Sequence, residues 1–161
     1  MNKNYVLLRD IVTKYHPDFN TSKEVQEFAL KNHDVLNVER LIEYTLAHVG
    51  GMNFVDAEGY DFLPCYSDSK TVSISRATRD AYISSVENKI GALRITAYNP
   101  HKDQADFFYV PKSDVPLVKR ACYGKSMFKQ RIMFCYSEKG HYNSFEKYRV
   151  PSFEVLAKAN Y

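Results

Sequence analysis

Between residues 36 and 50 the apolar positions Val38, Leu41, Ile42, Leu46 and Val49 recur three and four residues apart. That spacing lays them along one stripe of a helix, which Asn37 can cap and Gly50-Gly51 can end. Upstream, Thr21-Ser22-Lys23-Glu24 has the form of a capping box and predicts an earlier helix running to about Lys31. After the glycine pair the period falls to two. Tyr60–Leu63 reads as a short strand that Pro64 breaks or turns. The next strand is clearer: Asp68, Lys70, Val72 and Ile74 share one face, and Ser69, Thr71 and Ser73 the other.

Residues 78–90 predict a helix with Ala81, Ile83, Val86 and Ile90 as its apolar positions. Strands are expected at Leu93–Tyr98 and Phe107–Val110, joined by the turn-rich Asn99-Pro100-His101-Lys102-Asp103. Ser113 or Asp114 can cap a helix over Val115–Cys122, with Pro116 tolerated in its first turn. Arg131–Tyr136 is a further strand, Gly140 marks a loop, and a short helix follows Ser152. The order describes an α/β (mixed α+β) domain with a central mixed β-sheet flanked by helices. With no repeat, low-complexity tract or Pro/Gly linker, residues 1–161 read as one domain. Its parts are N-terminal helices over 1–50, a core over 51–136 and a C-terminal segment over 137–161.

Composition narrows the class. A chain 45% hydrophobic and 25% charged is globular in type rather than disordered. No apolar run approaches the roughly 20 residues that a membrane span needs, and MNKNYVLLRD has no signal-peptide pattern, so a cytoplasmic location is expected. Cys65, Cys122 and Cys135 are odd in number and widely spaced, which fits buried thiols better than a zinc site.

Charge is unevenly distributed. Residues 1–69 hold 6 Lys/Arg against 11 Asp/Glu, whereas residues 70–149 hold 15 against 7. A basic half on a near-neutral chain suits a polyanionic partner such as nucleic acid, although scattered charges also describe an ordinary solvated surface. Arg76 and Arg79, just past the Asp68 strand, are candidate phosphate or base contacts. Lys119, Arg120, Lys125, Lys129 and Arg131 form a looser second group, from which Lys125 is taken as a DNA contact.

The stretch from Asp61 to Lys70 carries the candidate chemistry. Phosphodiester hydrolysis needs a divalent cation beside the phosphate, an activated water, and positive charge opposite the developing phosphorane. Mg²⁺ is held by one or two carboxylates, with waters and phosphate completing its shell. Asp68 and Lys70 project from one strand face roughly 6.5 Å apart, and a bend near Pro64 would bring Asp61 beside them. They share that face with Val72 and Ile74, and charged residues seldom enter a core face unless paired or bound to metal.

Taken with the element order, Asp61 followed by Asp68-Ser69-Lys70 resembles the PD-(D/E)XK, or restriction-endonuclease-like, superfamily over about residues 38–136. The resemblance implies that Asp61 and Asp68 ligate Mg²⁺, with Mn²⁺ as a substitute. It implies that Lys70 orients or helps to deprotonate the attacking water and offsets charge at the phosphate. A glutamate from the preceding helix often joins such sites, which points to Glu43 ahead of Glu39. No proline precedes Asp61, and the short gap to Asp68 leaves Asp56, then Glu58, as rival first acids. The role implied is a site-specific type II restriction endonuclease acting on double-stranded DNA as a homodimer, with a nicking or repair nuclease, or the small subunit of a heterodimeric enzyme, as alternatives. His141-Tyr-Asn143 resembles a ββα-metal nuclease motif but lacks a second histidine suitably placed downstream. The rival from another class is a non-catalytic nucleic-acid-binding or phage accessory protein, with Asp68 and Lys70 an ordinary ion pair.

Overall fold

The computed structural model describes residues 36–73, 80–83, 88–99, 104–118, 120–121, 130–135 and 143–161. The helix expected over 21–31 lies outside them, as do Arg76, Arg79, Lys119, Lys125, Lys129, His101 and His141.

Helix α1, Leu36–Gly50, forms where the apolar stripe placed it and ends at Gly51, whose φ of 65° is a left-handed conformation that glycine adopts without strain. Ile42 and Leu46 on that stripe are fully buried, each contributing about 1.5–3 kcal/mol. Strands β1 (Asn53–Ala57) and β2 (Tyr60–Leu63) make an antiparallel hairpin. The expectation for β1 was absent from the chain pattern because its mostly exposed residues do not alternate. Strand β3, Asp68–Ser73, is the alternating segment. It begins a mixed four-stranded sheet in the order β3-β5-β6-β9, where β5 is Leu93–Asn99, β6 is Gln104–Val110 and β9 is Arg149–Val150. β3 and β5 are parallel, and the other pairs are antiparallel.

Two expectations are corrected. Asp80–Ile83, placed in a helix over 78–90, is strand β4, antiparallel to β8 (Gln130–Cys135) in a second sheet with β7 (Arg120–Ala121). Ala81 and Ile83 lie two apart, which is a strand period and not a helical one, and pairing with β8 makes the strand. The helix expected over Val115–Cys122 is α2, Val115–Val118, after a 3₁₀ turn at Lys112–Asp114. Arg120 and Ala121 instead pair with Arg131 and Gln130, so backbone pairing ends the helix early. A 3₁₀ segment at Asn143–Tyr148 precedes β9, and helix α3, Phe153–Lys158, is capped by the Ser152 hydroxyl, which accepts from the Val155 N–H.

The four-stranded sheet is covered on both faces. Val72, Leu93, Ile95, Ala97, Phe108 and Val110 pack with Val115, Phe145 and Tyr148 on one side. On the other, Ala92 and Tyr109 pack beneath α1 and α3 through Ile42, Leu46, Phe153 and Leu156. The polar face of β3 is therefore not a solvent face: Ser69 is buried, and the Ser69, Thr71 and Thr96 hydroxyls lie buried without hydrogen-bond partners.

Two glycines fix the approach to β5. A Cβ at Gly59 (φ 88°) would come within 2.8 Å of the Asn88 carbonyl oxygen, and one at Gly91 would overlap the Tyr66 carbonyl. Residues 88–92 thus thread between the β1–β2 turn and the 64–67 loop, helped by hydrogen bonds from Ile90 N–H to Gly59 O and from Asp68 N–H to Ala92 O. Gly91→Ala should cost about 2 kcal/mol, because backbone must move to admit the methyl. Urea unfolding of the variant measures it, and an unchanged midpoint would refute the close approach.

Candidate active site

Asp61 and Asp68 meet because the chain doubles back over six residues. After β2 the Leu63–Pro64 peptide is cis and Tyr66 has φ 58°. The Ser67 carbonyl then accepts from both the Asp61 N–H (2.9 Å) and the Phe62 N–H (3.1 Å). In return the Ser69 N–H donates to Asp61 Oδ2 at 2.8 Å. The Asp61 carboxyl is therefore tied to the β3 backbone one residue beyond Asp68. Both acids are nearly inaccessible, Asp61 7% and Asp68 2% exposed.

Burial and the adjacent Asp68 charge push the Asp61 carboxyl up to about 6, against the weaker pull of the Ser69 N–H and Lys89. Asp68 carries two ammonium partners. Lys89 Nζ donates to Oδ1 at 2.9 Å, and Lys70 Nζ stands 3.5 Å from Oδ2. The Lys70 contact is an ion pair by distance only, so Oδ2 remains a buried acceptor with no hydrogen-bond donor. The lysine side chains are 19% and 15% exposed, so the cluster sits just beneath the surface.

The structure thus brings together Asp61, Asp68 and Lys70. It separates them from the rival acids: Asp56, with φ 47°, and Glu58 are exposed around the hairpin turn. Glu43 is half-buried and Glu39 exposed on α1. Among the described residues no three His, Cys, Asp or Glu side chains form a group able to hold a metal ion. Arg76, Arg79 and Lys125 lie outside the described residues.

The sequence pattern does not mark Lys89. It falls within the helix expected over 78–90, and only the parallel pairing of Asp68 with Leu93 puts the starts of β3 and β5 side by side. A lysine four residues before a strand carries no signal until that pairing is known.

The donor set fits a hard divalent cation. Two carboxylates offer oxygen ligands of the kind Mg²⁺ prefers, and Asp68 Oδ2 is a buried acceptor still lacking a donor.

Beneath the sheet's other face lies a different polar cluster. Arg94, 1% exposed, donates to Ser67 Oγ (3.0 Å) and to the carbonyls of Leu156 and Ala157, and stacks 5.1 Å from the Tyr109 ring centre. It pins α3 and the 64–67 loop to β5, holding the loop that positions Asp68. Beside it Cys65, a half-buried thiol, opens onto a cavity of about 440 Å³ between Gly50-Gly51 and Ala157–Asn160. Burial raises that thiol, but Ser67 and Arg94 lower it more. Among the described residues no helix is long and apolar enough to cross a membrane. No known protein family, curated protein or solved structure matches this chain.

Proposed function

We propose that this chain is a Mg²⁺-dependent DNA endonuclease with a site of the PD-(D/E)XK kind, acting as a type II restriction enzyme. The observation that carries the reading is the convergence of two buried carboxylates, Asp61 and Asp68, with Lys70 at the edge of one sheet. Buried like charges are costly, and sites that keep them generally use them.

Asp61 and Asp68 would hold the cation, which when bound supplies Lewis-acid stabilisation of the phosphate and a more acidic water. Lys70 places positive charge where the phosphorane develops and orients the attacking water. The Ser69 N–H and the Arg94 network keep the carboxyls in place. One site per chain cutting two strands calls for a homodimer, since two-fold symmetric DNA is matched by a two-fold symmetric protein. The basic residues between 70 and 149 would face the phosphates. Supercoiled plasmid incubated with Mg²⁺, and separately with EDTA, tests the reading: nicking or linearisation only with Mg²⁺ is expected.

The Lys70–Asp68 ion pair also favours a second reading, a non-catalytic nucleic-acid-binding protein in which the pair is structural. Lys70 separates the two. Lys70→Ala should lower the cleavage rate by roughly a thousand-fold with little change in DNA affinity, and Lys70→Arg should not restore it, because a guanidinium is bulkier and keeps its proton. A Lys70→Arg enzyme with wild-type rate would show that charge alone is required.

A further inference from the structure

Lys89 is the closest partner of Asp68, at 2.9 Å, although it stands 21 residues away in the chain and outside the Asp-x-Lys pattern. Its backbone is held between Gly59 and Gly91, each pressed against neighbouring main chain. The anchored backbone delivers the ammonium to one oxygen, while the unbranched stem leaves its tip free to swing. Asp68 needs such a partner: a carboxylate this deeply buried, beside a second carboxylate, is strongly disfavoured without nearby cations. Lys70 meets only part of that need, for it leaves Oδ2 without a hydrogen bond.

We propose that Lys89 is a positioning residue that holds Asp68 through Oδ1 as a resident cation and is displaced when a divalent metal binds that carboxylate. The inference rests on the metal-site reading above and adds a residue to it. Charge balance supports the exchange. Asp61, Asp68, Lys70 and Lys89 together are neutral when both carboxyls are ionised. A divalent ion arriving at the Asp68 carboxylate meets two ammoniums at once, and Lys89, the one held closest to that carboxylate, gives way. Displaced to the rim, Lys89 would stand where a phosphodiester approaches, leaving the site net positive toward an anionic substrate.

Mn²⁺ binding followed by electron paramagnetic resonance above pH 7, without DNA, tests the exchange. Lys89→Gln should bind Mn²⁺ roughly ten-fold more tightly than wild type, because a competing charge is gone. Lys89→Arg, which keeps the charge, should bind no more tightly than wild type. A purely structural lysine would give the opposite sign, since losing it would loosen Asp68. Affinity unchanged or weakened in Lys89→Gln overturns the inference while leaving the metal site standing. Absence of Mn²⁺ binding in wild type and both variants overturns the metal site and the inference with it. Should Lys89→Gln fail to fold, ¹³C-dimethylated wild type gives the same information. The Lys89 resonance, assigned by its loss in Lys89→Arg, should shift on adding Mg²⁺, and a resonance that stays in place would refute the exchange.

Discussion

Asp68→Asn should abolish Mg²⁺-dependent plasmid cleavage, with a fall of roughly a thousand-fold or more in rate, while the protein still folds and binds DNA. Asn keeps the shape of the side chain, so the hydrogen-bonded frame around Ser67 and Ser69 is retained. What disappears is the anionic oxygen that Lys70 and Lys89 now face and that a divalent ion would need. DNA affinity in Ca²⁺-free buffer should hold or rise, because one negative charge near the phosphate is removed. Asp61→Ala should be equally inactive, whereas Asp56→Ala should cut normally, since Asp56 is an exposed hairpin residue. Gel assays of initial cleavage rate, beside filter-binding affinities, give both numbers. Wild-type cleavage by Asp68→Asn would end the nuclease assignment at this site.

Without metal, the protein should lose stability as pH rises from about 4 to about 6. The Asp61 carboxyl titrates near 6 in the fold against an ordinary value of 3.8. Across that window the native state keeps a proton that the unfolded chain has released, so raising pH favours unfolding. The two-unit shift corresponds to about 2–3 kcal/mol at neutral pH. Asp61→Asn should recover most of it, being more stable than wild type above pH 6 and nearly equal to it near pH 4. The same proton competes with metal, so Mn²⁺ should bind more weakly below pH 6 and more strongly above. Urea unfolding in EDTA at a series of pH values supplies the test. A flat difference between wild type and Asp61→Asn would show that Asp61 is not held near Asp68 as described. A well-bound divalent ion should reverse the trend by stabilising the folded state above pH 6.

Much of the local structure was legible in the chain. The α1 stripe, the β2 and β3 segments, the β5 and β6 strands and the Ser152-capped helix all follow from periodicity and capping, which act over a few residues. The pairing of Asp68 with Lys70 on one strand face was legible for the same reason. The rest depends on partners distant in sequence. Asp80–Ile83 is too short to declare its period in the chain, and pairing with β8 makes it a strand. The Ser/Thr face of β3 looks solvent-directed in the chain, yet α1 covers it, because a strand beside a parallel neighbour is enclosed by the elements of the crossover sheet.

The amino-acid order by itself marked the candidate residues: acids seven apart across a proline turn, and an Asp-x-Lys strand. Tertiary structure decided how they meet. It buried Asp61 beside Asp68 and left Asp56 and Glu58 exposed around the hairpin turn. It brought Lys89 to Asp68 by setting the starts of two parallel strands together, with Gly59 and Gly91 allowing the approach. The physical reason is that side-chain spacing along a strand is set by bonds between neighbours, whereas burial and ion pairing depend on which distant backbones fit side by side.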